Sequence, residues 1–203
     1  MNIEEHKLWS PLGHLNRDQA EFIQELSLEH KPKYCLETGF CTGRSSLALI
    51  LGNEDGIEKF ITIDWNFDYN KNCQTPTDVL ASCHEYVDKF KAKYNFYSEK
   101  GGNTADVLNK EFLDKEFPNG IDWFTVDGDH TYDGCKRDLT MGLPYMNQGS
   151  IIIIDDYEAG PPNGCHIPEV NQACYDFYSE NSDKLTREKW NKLGKGFCIF
   201  RVK

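Results

Sequence analysis

The sequence lacks any apolar run long enough to cross a membrane. A spanning helix needs about 18 consecutive apolar residues, and no segment of the 203 residues approaches that length. Residues 1–10 are polar and charged, unlike those of a secretory signal peptide. We therefore expect a soluble, cytoplasmic protein with no membrane partner.

Positive charge is also scarce. The chain has 22 Lys and Arg against 33 Asp and Glu, which gives a formal net charge of −11. Non-specific affinity for nucleic acids comes from basic side chains that displace counterions from phosphates. The composition therefore argues against a nucleic-acid partner.

The eight cysteines form no Cys-x-x-Cys pair. Their scattered spacing indicates neither a zinc site nor a secreted disulfide framework, so we predict reduced thiols that mostly pack as small core residues. With 39% hydrophobic residues, the chain can build one core. We predict a single domain over residues 1–203, with an N-terminal arm and helix in 1–30 and the core in 31–203.

Short apolar runs alternate with segments of helical period, which is typical of an α/β fold with a parallel sheet. The predicted strands cover residues 34–38, 60–64, 95–98, 121–126, 150–154 and 196–202. The predicted helices comprise one capped by Asn16, one over 44–51, one starting at 75–76, one over 104–113, one carrying Leu139 and Leu143, and one over 168–179. Four consecutive isoleucines at 151–154 indicate a strand buried on both faces.

Acidic residues and glycines follow the predicted strands. In open parallel sheets, ligands bind outside the carboxyl ends of the strands. Residues 37–43 (ETGFCTG) follow the first strand, and their two glycines allow the backbone to approach a ligand closely. Asp64 ends the second strand, where an acidic residue suits a ribose diol. The third glycine of a dinucleotide fingerprint is absent, which argues against a nicotinamide-dependent oxidoreductase.

Two further acidic runs end later strands. The fourth predicted strand leads into residues 126–132 (VDGDHTY), and the fifth, GSIIII, leads into 155–157 (DDY). Taken in order with the first two motifs, this set resembles the class I S-adenosylmethionine-dependent methyltransferases. The closer resemblance is to their small-molecule O-methyltransferase branch, and it covers residues 33–157 by motif.

The resemblance implies a Rossmann-like fold, a doubly wound and mostly parallel seven-stranded sheet with an antiparallel last strand and helices on both faces. It also implies S-adenosylmethionine as the cofactor. In the family, the glycine loop passes under the methionine part, the acidic residue after the second strand binds the ribose, and the stretch after the third strand lies along the adenine. The implied cofactor contacts are Glu37, Gly39, Gly43, Asp64, Gly102, Asn103, Thr104 and Asp127.

A divalent cation is implied as well. Metal-dependent members hold it between an Asp after the fourth strand and an acidic pair, or an Asp-Asn pair, after the fifth, and Asp127, Asp155 and Asp156 occupy those positions here. Three carboxylates suit a hard cation such as Mg²⁺, with Mn²⁺ or Ca²⁺ as alternatives, and without a cation they would repel one another. The Asp-Asp pair, where catechol-type enzymes have Asp-Asn, leaves the ligand set open.

Methyl transfer requires a hydroxyl oxygen to lose its proton and attack the sulfonium methyl in line. A cation would lower the pKa of that hydroxyl. The resemblance implies that His130, three residues beyond Asp127, acts as the general base, with Asp127 beside it in catalysis. A second interpretation, in which His130 only orients Asp127, stays open.

The expected function is metal-assisted O-methylation of a small hydroxylated acceptor, such as a sugar or a metabolite. A non-catalytic cofactor-binding protein, a nicotinamide-dependent oxidoreductase and a hydroxylase-like relative are the alternatives. Asp129 is expected to cap the following helix or face solvent. Tyr132 and Tyr157 are expected to be packing or rim aromatics, with contact to the substrate as the alternative. A homo-oligomer and a monomer both remain open.

Overall fold

The computed structural model describes residues 15–41, 43–64, 88–90, 92–98, 104–158, 167–192 and 195–203. Its helices are α1 (Arg17–His30), α2 (Arg44–Asn53), α3 (Thr104–Val107), α4 (Lys110–Glu116), α5 (Tyr132–Gly142) and α6 (Pro168–Glu180). Its strands are β1 (Tyr34–Thr38), β2 (Lys59–Asp64), β3 (Asn95–Ser98), β4 (Ile121–Val126), β5 (Met146–Ile154), β6 (Leu185–Lys192) and β7 (Lys195–Val202).

The strands form one mixed sheet in the order β3-β2-β1-β4-β5-β7-β6. The first five strands pair in parallel, whereas β7 runs antiparallel to both β5 and β6. The predicted α/β fold with an antiparallel strand is therefore confirmed. Because β2 and β4 lie on opposite sides of β1, the carboxyl ends of β1 and β4 flank the switch point at which such sheets bind ligands.

Alternate residues of each strand enter two separate hydrophobic cores. Cys35, Trp123 and Ile151 pack with residues of α1 and α2 on one face. Leu36, Phe124 and Ile152 pack with residues of α4, α5 and α6 on the other. Helices thus cover both faces of the sheet, as the family resemblance implies. All four isoleucines at 151–154 are at most 1% exposed, and burying each contributes about 2 kcal/mol.

The N-terminus of α1 is fixed by a capping box. The Asn16 side chain accepts a hydrogen bond from the Gln19 amide N at 2.9 Å, and the Gln19 side chain accepts one from the Asn16 amide N at 3.0 Å. The two bonds satisfy backbone donors that the first helical turn leaves unpaired. The predicted cap at Asn16 is confirmed, and Ile23 and Leu26 are buried as its helical period requires.

Two predicted elements differ in the structure. The single helix predicted over 104–113 is broken into α3 and α4, because the Asn109 side chain accepts a hydrogen bond from the Phe112 amide at 3.0 Å and caps a new helix. Strand β5 begins at Met146 rather than at residue 150. The helix predicted to start at 75–76 falls largely outside the described residues.

Four cysteines confirm the prediction that the thiols mostly pack as small core residues. Cys35, Cys135, Cys174 and Cys198 are free and buried, whereas Cys41 is free and exposed. The other three cysteines lie outside the described residues. Among the helices that the structure describes, none combines the length and the apolar character that a bilayer crossing requires.

Candidate active site

The carboxyl ends of four strands meet at one edge of the sheet. The Gly39 amide donates to the Ile63 carbonyl at 2.8 Å, the Asp127 amide to the Thr38 carbonyl at 2.9 Å, and the Asp155 amide to the Val126 carbonyl at 3.2 Å. Each bond continues the ladder one residue past a strand. The acidic and glycine residues that the sequence singles out are thereby brought together.

Gly39 lets the loop after β1 lie directly against the end of β4. Its φ is +82°, and a Cβ at this position would lie 2.0 Å from the Asp127 carbonyl oxygen. No side chain fits there without moving backbone. Gly43 has a φ of 72° and caps α2, whose Leu47 amide donates to its carbonyl at 2.8 Å.

Asp64 holds this glycine loop in place. Its Oδ2 accepts hydrogen bonds from the Phe40 amide at 2.7 Å and the Cys41 amide at 2.8 Å. Cys41 has a φ of 47°, a left-handed conformation that is unfavourable for a residue with a side chain. The two bonds from Asp64 therefore stabilise a strained turn, and its predicted contact with a ribose stays a prediction.

Glu37 is fully buried beneath the loop. Its carboxylate accepts hydrogen bonds from the Ser45 hydroxyl at 2.6 Å, the Ser46 hydroxyl at 2.5 Å and the Thr62 hydroxyl at 3.0 Å. Burial raises the pKa of Glu37 to about 7, although the three hydroxyls oppose that rise. Ser45 and Ser46 are site residues that the sequence pattern alone did not indicate, although two consecutive hydroxyls in the first turn after the glycine loop were a usable signal.

Thr104 lies beside the end of β4, at the start of α3. A Cβ on Gly128 would be 3.3 Å from its methyl group, and the Arg137 guanidinium donates to its hydroxyl at 2.8 Å. Arg137 also pairs with the fully buried Asp138 at 3.0 Å. Burial raises the pKa of Asp138 to about 6, and the Arg137 charge opposes that rise. Gly102 and Asn103, predicted to lie with Thr104 along an adenine, are outside the described residues.

Glu37 and Asp64 form one group of acidic residues, and Asp127, His130 and Asp156 form a second cluster at the ends of β4 and β5. The His130 Nε2 lies 3.0 Å from the Asp127 Oδ1, and the His130 Nδ1 lies 3.8 Å from the Asp156 Oδ2. One potential ligand atom of each residue lies within 4.8 Å of the others. Their side chains are 27%, 43% and 14% exposed, in that order.

One oxygen of Asp155 is engaged by protein donors. Its Oδ1 accepts hydrogen bonds from the Gln19 side-chain amide at 2.9 Å and from the Asp156 backbone amide at 2.7 Å. Among the described residues, His130 rather than Asp155 joins Asp127 and Asp156 in the set close enough to share an ion. The predicted role of Asp155 as a metal ligand stays a prediction.

The acidic surroundings of His130 raise its pKa to about 9. The largest cause is its hydrogen bond to Asp127; the charges of Asp127, Asp156 and Asp155 add to it, and burial opposes it. In this arrangement the imidazole is protonated at neutral pH and partly neutralises the carboxylates. A protonated imidazole cannot accept a proton, so a base role for His130 requires another positive charge near Asp127.

The residues that flank the cluster make local structural contacts, but the cap of α5 is Thr131 and not Asp129, because the Thr131 side chain accepts the hydrogen bond from the Gly134 amide. The Asp129 Oδ1 accepts a hydrogen bond from the Thr131 amide at 3.0 Å, and Thr131 caps α5. The Tyr132 hydroxyl donates to Asp176 at 3.0 Å on α6. Tyr157 is buried in the core with Val170 and Phe200.

Comparison with known proteins assigns the chain to a family. A family model described as a methyltransferase domain matches residues 36–157, from β1 to the turn after β5. The chain belongs to this methyltransferase family. The predicted identity as a methyltransferase is thereby confirmed, and the matched segment contains every strand end that forms the site.

A curated relative of this methyltransferase is the uncharacterized protein R132 of Acanthamoeba polyphaga mimivirus. The two are 29% identical over 121 residues, which cover 57% of this chain and 52% of R132. The chain thus spans about half the length of that relative.

Two solved structures share the fold of this methyltransferase. The O-methyltransferase from Bacillus cereus, in complex with S-adenosylhomocysteine, is 18% identical with a TM-score of 0.68, and the match covers 95% of this chain and 84% of that one. The O-methyltransferase TomG from Streptomyces achromogenes, involved in tomaymycin synthesis and in complex with S-adenosylmethionine, is 17% identical with a TM-score of 0.66, covering 95% and 82%. At these identities the matches establish a common fold.

Proposed function

We propose that this methyltransferase transfers a methyl group from S-adenosylmethionine to a hydroxyl oxygen of a small acceptor, a sugar or another metabolite, with the help of a divalent cation. The observation that carries the proposal is the Asp127–His130–Asp156 cluster, which lies at the switch point of the sheet, directly beside the glycine loop. A cofactor bound at that loop and an acceptor held at the cluster would lie next to each other.

The cofactor is assigned to the edge formed by the ends of β1 and β2. Glu37, Gly39 and Gly43 would lie under its methionine part, and Asp64 would face its ribose. The Phe40 and Cys41 amides already fix the Asp64 carboxylate at 2.7 and 2.8 Å, so the carboxylate is oriented before a ligand arrives. The Bacillus cereus and Streptomyces achromogenes structures, which contain S-adenosylhomocysteine and S-adenosylmethionine, support this choice of cofactor.

The donor set of the second cluster fits a hard divalent cation. Two carboxylates and an imidazole lie within 4.8 Å of one another, and carboxylate oxygens are preferred ligands of Mg²⁺ and Mn²⁺. Asp127 and Asp156 would hold the ion, with Asp155 as the further ligand that the sequence predicts. When bound, the ion would lower the pKa of the acceptor hydroxyl and fix its direction.

His130 is assigned as the group that removes the acceptor proton. Its imidazole lies between the two proposed ion ligands, 3.0 Å from Asp127 and 3.8 Å from Asp156. A cation between those carboxylates would compete with the imidazolium for their negative charge and favour the neutral ring. The proton of the hydroxyl would then pass to a ring nitrogen of His130.

The cofactor assignment is tested by calorimetric titration of S-adenosylhomocysteine into the protein, with Mg²⁺ and with EDTA. We expect binding that falls at least about tenfold in Asp64→Asn, because the variant loses the charge that faces the ribose and holds the loop. Asp55→Asn, at an exposed position, is the matched control and should bind normally. No binding to the unmodified chain would overturn the proposal.

Catalysis is tested with methyl-labelled S-adenosylmethionine and a panel of sugars, phenols and other hydroxylated metabolites. Label should pass to at least one acceptor in a reaction that EDTA stops. We expect Asp127→Ala and His130→Ala each to lower its rate at neutral pH by at least about 100-fold, the usual weight of a general base. A His130→Ala rate equal to that of the unmodified protein would refute the base assignment, and cofactor binding without any transfer would favour a non-catalytic binder.

A further inference from the structure

Gln19, in the first turn of α1, is linked to the candidate cation cluster by hydrogen bonds. Its side-chain amide donates to the Asp155 Oδ1 at 2.9 Å, and the same oxygen accepts the Asp156 backbone amide at 2.7 Å. Asp156 in turn places its Oδ2 3.8 Å from the His130 Nδ1. A residue 136 positions away in sequence from Asp155 therefore contacts the turn that carries the cluster.

Both ends of the Gln19 amide are engaged. While its nitrogen donates to Asp155, its Oε1 accepts a hydrogen bond from the Asn16 backbone amide at 3.0 Å. The residue is fully buried. Rotation of the side chain would break both bonds in a place where water cannot replace them, so the donor to Asp155 is held in a fixed direction.

The bond network supports a strained backbone. Asp156 has a φ of 57°, in the left-handed region that residues with a side chain adopt rarely. Such a conformation persists only where its surroundings enforce it. Here the Asp155 carboxylate accepts the Asp156 amide at 2.7 Å, and Gln19 fixes that carboxylate.

We propose that Gln19 is a positioning residue of the cation site: through the Asp155 carboxylate it holds the turn in which Asp156 faces Asp127 and His130. The inference rests on the cation half of the proposed function. It gives the helix before the methyltransferase core a role in the site, although the family match begins only at residue 36.

A second contact joins the start of α1 to the proposed cofactor site at the loop after β1. The buried Arg44 guanidinium, directly after Gly43, donates to the Leu15 carbonyl at 3.3 Å, and Leu15 is itself buried. The start of α1 is thus attached both to the helix that follows the glycine loop and to the turn after β5. Displacement of the start of α1 would therefore disturb both the proposed cofactor site and the proposed cation site.

The experiment measures Mn²⁺ affinity by electron paramagnetic resonance, with saturating S-adenosylhomocysteine, for the unmodified chain, Gln19→Met and Asn16→Ala. Gln19→Met keeps the length of the side chain and removes its donor. Asn16→Ala removes the other bond of the capping box and leaves the donor to Asp155 in place. Both variants lose one capping bond, and Gln19→Met also loses the bond to Asp155, so urea unfolding should show at least as much destabilisation in Gln19→Met as in Asn16→Ala.

We expect Gln19→Met to bind Mn²⁺ at least about tenfold more weakly, as is usual when a group that orients a metal ligand is lost. Asn16→Ala should stay within about twofold of the unmodified chain, since its effect is confined to the cap. Gln19→Asn, whose amide is too short to bridge Asn16 and Asp155, should resemble Gln19→Met and serves if that variant does not fold.

Equal Mn²⁺ affinities for the Gln19 variants and Asn16→Ala would overturn the positioning role and leave the cation site standing. An unmodified chain that binds S-adenosylhomocysteine but no Mn²⁺ would overturn both the cation site and the role of Gln19. The two failures are therefore distinguishable.

Discussion

At the ends of β1 and β2, the carboxylates of Glu37 and Asp64 are buried and accept hydrogen bonds from hydroxyls and backbone amides of the protein itself. At the ends of β4 and β5, Asp127 and Asp156 stay partly exposed and face an imidazole. Four acidic residues at one edge of a sheet therefore stand in two different environments.

The difference separates carboxylates that are buried among protein donors from carboxylates that stay partly exposed beside an imidazole. A buried carboxylate with several protein donors is fixed in place and shapes the loop around it. Carboxylates that lie near one another raise their own electrostatic energy unless a positive charge joins them. The first pair is thus fixed in place by the protein itself, and the second pair is the one that we propose to hold a cation beside the acceptor.

The largest effect is expected from Gly39→Ala, because this substitution disrupts the contact between the loop after β1 and the end of β4. The new Cβ would lie 2.0 Å from the Asp127 carbonyl oxygen at a φ of +82°. Overpacking against backbone and left-handed strain together should cost at least about 3 kcal/mol of unfolding free energy. Urea unfolding measures this loss.

Gly149→Ala is the matched control for that substitution. Gly149 also has a positive φ, +79°, but nothing lies within 4 Å of its Cβ position. It should therefore show the cost of strain alone, about 1 kcal/mol. Equal losses for the two variants would mean that the close approach of the loop to β4 is not a constraint.

Asp127→Asn and Asp64→Asn test whether the two pairs of carboxylates bind different ligands, Mn²⁺ and S-adenosylhomocysteine. We expect Asp127→Asn to weaken Mn²⁺ binding by at least about 100-fold, because it removes a charged ligand rather than a group that orients one. Asp64→Asn should weaken the binding of S-adenosylhomocysteine and leave the affinity for Mn²⁺ nearly unchanged. Calorimetry measures both ligands, and the exposed Asp114→Asn controls for loss of surface charge. Parallel losses of both ligands in both variants would contradict the division.

A smaller effect is expected from the pH dependence of Glu37. Its pKa is raised from 4.5 to about 7 in the folded protein, chiefly by burial. The folded state therefore keeps a proton that the unfolded state releases, so stability from this group is complete below pH 4.5 and is lost as the pH rises to about 7. The loss is at most about 3 kcal/mol.

Glu37→Gln removes this titration. Urea unfolding between pH 4.5 and 7.5 should show that the unmodified chain loses more stability with rising pH than the variant does. Glu25→Gln, at an exposed position of α1, controls for the loss of one formal charge. Identical pH profiles for the Glu37 variant and the unmodified chain would show that the buried carboxyl titrates normally.

Residues at strand ends could be located from sequence because their pattern is local. Glu37, Asp64 and Asp127 each follow a short apolar run, and a parallel sheet brings such positions to one edge. The conformations that these residues adopt depend on partners elsewhere in the chain. Asp64 binds the glycine loop, and Asp155 binds Gln19, through contacts that no local pattern specifies.

The features that could not be predicted from the sequence leave no periodic hydrophobic pattern. Strand β6 is an edge strand whose residues 186–189 are exposed, so it shows no alternation of buried and exposed side chains. The break between α3 and α4 depends on the side chain of a single Asn109. Gln19 was not predicted as a site residue, because its bond to Asp155 exists only once the chain has folded.

The most direct test of the two-part site is a crystal grown with S-adenosylhomocysteine and Mn²⁺, with diffraction measured at the manganese absorption edge. The account predicts an anomalous peak between the Asp127 and Asp156 carboxylates, and cofactor density along the glycine loop with its ribose at Asp64. A cofactor bound at the loop with no peak at the cluster, or manganese bound elsewhere, would contradict the claim that the partly exposed carboxylates of Asp127 and Asp156 hold a cation.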